Sequence, residues 1–232
     1  MGIRWSASKN FYILKPMKLF RTFILISVII GLSSFQLEQD DFRELQNTDG
    51  LVAKIKAYAS ETHSIKSDFI QEKHLTMLEE VLVSEGHFIF QKENSVLWEY
   101  KKPIDYAIIV FDGKFTIRDG RKIQEYDIKS NRMFKEINNM IITSVSGDFL
   151  DNPDFKSTYF ENGSFYLVRL SPVNPEVNNM LSTIEIYFDK NNISVAQVRF
   201  VEPGDDFTLI KFYNKVFNSE IPAQVFQIEK SD

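Results

Sequence analysis

From Ser64 onward the chain runs through apolar-rich stretches broken by short polar turns, with no helical period between Ser64 and Arg118. Stretches of this kind, bounded by Gly, Asn, Asp and Pro, predict β-strands. They fall at 64–73, 76–90, 95–101, 105–111, 114–119, 122–127 and 131–135. Asp112-Gly113 and Asp119-Gly120 supply tight hairpin turns, and Pro103, which has no N–H to give a ladder, ends a strand. A helical period appears twice. Leu51, Val52, Ile55, Tyr58 and Ala59 predict a helix over 48–60, capped by Thr48 or Asp49. Ile137, Met140, Ile141, Val145 and Phe149 predict a second at 137–150, weakened by Thr143, Val145 and Gly147. Strands then resume at 155–161, 164–170, 180–189, 193–201, 206–213 and 223–229. Ile184, Ile186 and Phe188 alternate with Glu185, Tyr187 and Asp189, which describes a strand with one covered and one wet face. No repeat or linker interrupts residues 48–232, so these form a single domain.

The N-terminal stretch has a different character. Residues 1–37 contain no acidic side chain, and Lys18 and Arg21 precede the apolar run Phe23–Leu32, which is followed by Ser33 and Ser34. A basic start, a short apolar run and a small-residue site predict a secretory signal peptide over 1–34, with Met17 as an alternative start. The run is shorter than the roughly 20 residues of a membrane span. Residues 35–47 are polar and acidic, either a flexible mature N-terminus or the first turns of a helix. Losing 1–34 removes five cations and no anion, so the formal charge of −5 becomes −10. An acidic domain is poorly suited to nucleic acid or to anionic lipid.

Catalytic chemistry finds little to work with. There is no cysteine, which excludes disulfides, thiolate nucleophiles and thiolate metal sites. The three histidines, His63, His74 and His87, have no metal-ligand spacing, although His74 and His87 could meet across a hairpin. Ser144, Ser146 and Gly147 do not form a nucleophile elbow. Glu79 and Glu80, adjacent on an expected strand, would point to opposite faces. No glycine-rich loop opens a helix to cradle phosphate. No enzyme activity, cofactor or metal is therefore expected. What remains is one apolar sheet face. With Trp98 inward, Val96 and Tyr100 share its face while Leu97 and Glu99 point away; Phe88 and Phe90 lie with Gly86, and Phe115 with Ile117. Such a face is either a closed core or a concave surface that holds a hydrophobic ligand.

At these residues the chain resembles the periplasmic outer-membrane lipoprotein carrier family, the LolA-like proteins. Ser64 to Gln71 carries an early strand ending F-x-Q, and Gly86 to Phe90, Leu97 to Tyr100 and Pro103 follow in the family's order. Ile109 to Lys114 (IVFDGK) and the tail strands Ile184 to Phe188, Val198 to Phe200 and Phe207 to Asn214 complete the set, over about residues 48–228. The resemblance implies an α+β fold, an unclosed, strongly curved antiparallel β-barrel of about eleven strands with helices over its concave apolar face. It implies a periplasmic monomer that takes outer-membrane lipoproteins from an inner-membrane ABC transporter complex, shields their acyl chains, and delivers them to an outer-membrane acceptor. A lipid- or lipoprotein-sensing envelope protein of the same fold is the alternative. The acyl-chain residues would be Phe69, Phe88, Phe90, Val96, Trp98, Tyr100, Phe115 and Ile117, with Ile137, Met140 and Ile141 on the lid helix. One departure stands out: an Arg-Pro pair that contacts the lid in the family is replaced here by Lys92-Glu93.

Overall fold

A computed structural model describes residues 41–92, 95–128, 148–179 and 181–227. The expected signal segment, the strand at 131–135 and nearly all of the helix at 137–150, including Ile137, Met140 and Ile141, lie outside the described residues.

Helix α1 (Asp49–Glu61) forms where the apolar spacing predicts it, and Leu51, Ile55 and Ala59, one turn apart, are its buried residues. Thr48 occupies the N-cap position, but its side chain makes no capping bond. Asp49 still places a negative charge in the first turn, where the helix dipole favours it. At the other end the Thr62 hydroxyl donates to the Tyr58 carbonyl (2.8 Å), and the chain leaves directly into strand β2.

Among the described residues, twelve strands form one antiparallel, unclosed and curled sheet. In chain order they are β1 (Arg43–Glu44), β2 (Ser64–His74), β3 (Leu82–Gln91), β4 (Ser95–Lys102), β5 (Tyr106–Phe111), β6 (Lys114–Asp119), β7 (Lys122–Asp127), β8 (Phe155–Glu161), β9 (Phe165–Pro172), β10 (Thr183–Asp189), β11 (Val195–Val201) and β12 (Phe207–Phe217). β2 to β7 are successive hairpins, as are β8 to β12, and the two runs are joined where β12 pairs with β2, from Phe207 opposite His74 to Phe217 opposite Ile65. β1 pairs with β8 through Arg43 opposite Glu161. Of the segment 35–47, residues 41–47 are described, and within them Arg43–Glu44 pair as this short strand. Arg43 and Lys190 both bind the Glu161 carboxylate (2.7 Å each), which gives an isolated polar segment a reason to stay on the edge. The one-turn helix α2 (Pro175–Asn178) lies between β9 and β10.

Turn chemistry sets several boundaries. Asp112 and Gly113 have φ of 48° and 73°, the left-handed pair that suits a two-residue hairpin loop. β3 begins at Leu82, six residues later than expected at 76, because Asp206 captures the start of the connection. Its carboxylate accepts from the Thr76 N–H (2.6 Å) and the Thr76 hydroxyl (2.9 Å). Glu79 and Glu80 therefore sit in an exposed connection and not on a strand. Of the strand expected at 223–229, the described residues 223–227 are not a strand either. Ala223–Phe226 form a 3-10 turn, and Ile221 and Phe226 bury against Leu97, Ala107 and Ile109. The central strands are thus apolar on both faces at this point, which is why 107–111 reads AIIVF without alternation.

The opposite face holds two joined cores. In one, Leu51 and Ile55 of α1 and Phe149 pack with Val168, Leu170, Ile184, Ile186 and Phe188. The other gathers Phe69, Phe88, Phe90, Val96, Val110, Phe115, Ile128 and Ile210. Phe200 packs against both, so one apolar face is continuous around the sheet. Its tightest point is Gly86, which lies opposite Phe69. A Cβ there would stand 1.9 Å from the Glu99 carbonyl oxygen and 2.7 Å from the Phe69 ring. Backbone cannot move aside for a methyl group as a side chain can. Gly86→Ala is accordingly expected to destabilise the fold by at least about 2 kcal/mol. Urea unfolding reads this directly, and an unchanged midpoint would refute the close packing.

Candidate functional site

The register stacks the inward side chains of β2 to β6 in three rows. Ile65, Phe90, Val96, Val110 and Phe115 face one another across consecutive strands. Phe88, Trp98, Ile108 and Ile117 form the second row, and Phe69, Gly86, Tyr100 and Tyr106 the third. All eight of the sequence-derived residues that are described therefore meet in one cluster: Phe69, Phe88, Phe90, Val96 and Phe115 as buried members, Trp98, Tyr100 and Ile117 packed against them.

The cluster has two layers. Phe69 and Val96 have no accessible surface and Phe115 has almost none, so these act as the floor. Trp98, Tyr100, Ile117 and Phe212 keep part of their surface accessible above it. The Trp98 ring lies 4.9 Å from Phe69, 5.2 Å from Phe88 and 6.1 Å from Phe212, and Tyr100 meets Phe69 edge-on at 5.3 Å. Aromatic contacts of this geometry add about 0.5–1.5 kcal/mol each beyond simple burial. Sequence reasoning missed Ile210 and Phe212. Their alternation in β12 is visible, but their approach to Phe69 and Phe88 depends on the β12–β2 pairing, which spans some 140 residues of chain.

Two polar features interrupt this surface. The Tyr100 hydroxyl donates to Gln71 Oε1 (2.9 Å). The Trp98 indole N–H faces the Tyr100 oxygen without closing a hydrogen bond, and Nε1 is buried with no partner. A buried donor left unpaired costs about 1–3 kcal/mol. Burial also pushes the Tyr100 phenol above its ordinary value of 10.0, with the indole N–H opposing the rise.

The other side of the sheet is chemically different. A cavity of about 430 Å³ lies between β4, β5, β6 and the C-terminal turn, lined by Leu97, Ala107, Ile109 and Val225 but also by Glu99, Lys101, Asp105 and Arg118. Those charges are spent on each other: Arg118 binds Glu99 (2.7 Å) and Asp105 (2.6 Å), and Lys101 binds Glu99 (2.8 Å). A hydrocarbon entering there would strip water from ion pairs, so the aromatic face is the better apolar site. His74 and His87 do not meet. His74 stacks on Phe207 with centroids 4.1 Å apart, and His87 Nδ1 pairs with Asp68 at 2.7 Å. Among the described residues no group of three His, Cys, Asp or Glu side chains could hold a metal ion. Lys92, at the position of the family's Arg, donates from Nζ to the Ser60 carbonyl near the C-terminus of α1, where a cation complements the helix dipole.

The sequence profile of the family described as outer membrane lipoprotein carrier protein LolA matches residues 60–229. No curated protein sequence gives a significant match. Among solved structures, an uncharacterized conserved protein from Thermus thermophilus aligns at TM-score 0.49 and 8% identity, over 79% of this chain and 96% of that one. A LolA superfamily protein from Nitrosomonas europaea aligns at TM-score 0.41 and 8% identity, over 79% and 99%. The Mycobacterium tuberculosis lipoprotein LppX aligns at TM-score 0.43 and 9% identity, over 76% and 100%.

A phenol whose folded pKa exceeds its unfolded value supports the fold below about pH 10 and ceases to as pH rises through the folded value. Tyr58 and Tyr187, held up to about 12 chiefly by burial, contribute a background loss of the same sign. Tyr100→Phe is expected to lose less stability than the parent protein between about pH 9 and about pH 11. Urea unfolding at each pH measures it, and equal losses would show that the Tyr100 hydroxyl is not desolvated.

Proposed function

The chain belongs to the LolA family of outer membrane lipoprotein carrier proteins, and from that membership we propose that it shields lipoprotein acyl chains on its aromatic face while carrying them across the periplasm. The observation that carries this reading is the partly buried layer of Trp98, Tyr100, Ile117 and Phe212, which keeps some accessible surface above a sealed floor. A closed core would bury these large rings completely; a carrier needs them accessible and firmly supported.

The energetics suit such a role. Burying an acyl chain of about 16 carbons contributes roughly 0.8 kcal/mol per CH₂, so more than ~10 kcal/mol opposes its release into water. Only a surface nearly as apolar as a bilayer makes both uptake and release close to balanced. The sealed floor residues Phe69, Phe90, Val96 and Phe115 hold the geometry, Phe88 and the accessible layer touch the chains, and residues 137–150, with Ile137, Met140 and Ile141, serve as a lid. Donor and acceptor follow the family pattern: an inner-membrane ABC transporter complex loads the carrier, and an outer-membrane acceptor unloads it. The protein acts as a monomer after removal of residues 1–34 and needs no catalytic group.

Native mass spectrometry of the protein isolated from the periplasm is expected to reveal bound acylated peptide or lipid. Trp98→Asp places a carboxylate among the accessible rings and should abolish that co-purification while the variant stays folded by circular dichroism. Lipid carriage at the parent level in the variant would overturn the assignment of the face.

A further inference from the structure

The aromatic face changes in polarity along the strands. Its first row, Ile65, Phe90, Val96, Val110 and Phe115, is wholly hydrocarbon. Two residues further along β4 come the Trp98 indole N–H and then the Tyr100 hydroxyl, bound to Gln71. Beyond them on β2, Lys73 is ion-paired with Glu202 of the β11–β12 turn. The order from one end to the other is hydrocarbon, neutral hydrogen-bond donors, then charge. An esterified acyl chain has the same order: tail, carbonyl, polar head.

The donors in the middle are of one kind. Trp98 Nε1 is buried without a partner, and an indole N–H can only donate. Tyr100 uses the Gln71 amide oxygen, which leaves that amide's N–H₂ for another acceptor. Among the described residues the nearby cation, Lys73, is already paired with Glu202 and is not free to take a carboxylate. We propose that Trp98 Nε1, with Gln71 beside it, forms a subsite for a neutral acyl carbonyl. It would fix acylated ligands with their tails toward Phe90 and Val96 and their heads toward the Lys73–Glu202 rim. This deepens the acyl-chain reading and rests on it.

The subsite discriminates by chemistry and not by chain length. An ester or amide carbonyl satisfies the indole N–H. An ether of equal length leaves it unpaired, and a free fatty acid brings a charge that no unpaired cation among the described residues there neutralises. The ester corresponds to a glyceride source and the amide to an N-acylated one, and the two can be told apart by comparing both probes.

The test is displacement of a pyrenyl alkane, a probe without a carbonyl, from the full-length protein. The competitors are dipalmitoylglycerol, a palmitoyl amide, dihexadecylglycerol ether and palmitate. The diester or the amide is expected to bind about tenfold more tightly than the ether. Trp98→Phe keeps an aromatic ring but removes the N–H, and should reduce that ester-over-ether ratio to about twofold or less, whatever the variant's affinity for the alkane. Gln71→Leu, which can be made independently should the Trp98 variant misfold, should lower the preference without touching the rings. Equal binding of ester, amide and ether, palmitate binding as well as the ester, or a preference that survives in Trp98→Phe would overturn the subsite. Failure of the pyrenyl alkane to bind at all would instead overturn the acyl-chain reading on which it depends.

Discussion

The structure depends on a ring lying over a missing side chain. Phe69 can sink to the floor of the concave face because its partner across the strand pair, Gly86, has nothing on that side. Everything above follows in sequence. A sunken Phe69 gives Trp98 and Tyr100 something to rest on, and those two rings then stand high enough to remain partly accessible. Had Phe69 stood upright, the face would have closed by filling itself. A small residue at one position on β3 thus separates a packed barrel interior from a supported open surface.

The second face of the same strands explains how that surface keeps its shape. Leu97, Ala107 and Ile109 are covered by Ile221 and Phe226, and the Phe111 and Phe226 rings stack at 5.8 Å. Central strands anchored from behind need not collapse forward. Further around the sheet, Glu185 lies in register between Arg169 and Arg199 and binds both, at 2.9 Å and 3.3 Å. Glu185 is itself only 5% exposed, so this part of the sheet is closed by paired ions and not by hydrocarbon.

Local pattern was enough to find most strands and the inward parity of β4, because periodicity two is a local property. It also found α1, whose Leu51, Ile55 and Ala59 all bury. It went wrong where a distant group decides. The connection at 75–81 resembles a strand in composition, but Asp206, far along the chain, holds Thr76 out of the ladder. The tail at 223–227 has strand-like residues, yet Ile221 and Phe226 bury against the back of β4 and β5 instead of pairing into the sheet. β1 was illegible for the same reason, since its Arg43 finds its partner in Glu161, far along the chain. Within the site, the aromatics on adjacent strands could be grouped from alternation alone. Ile210 and Phe212 could not, nor could the role of Gln71, which emerges only once the Tyr100 hydroxyl is seen to reach it.

The pairing of β12 with β2 also bears on how the chain reaches this state. Hairpins β2 to β7 can assemble as soon as their own residues are available, but the β12 wall joins them only when Phe207 to Phe217 have arrived. Until then Phe69 and Phe88 lack the neighbours Ile210 and Phe212. Contacts of such long sequence separation form late, since closing the intervening loop costs entropy before any contact offsets it. The chain therefore passes through a half-built sheet whose most apolar side is open. That side stays uncovered until the last long strand closes it.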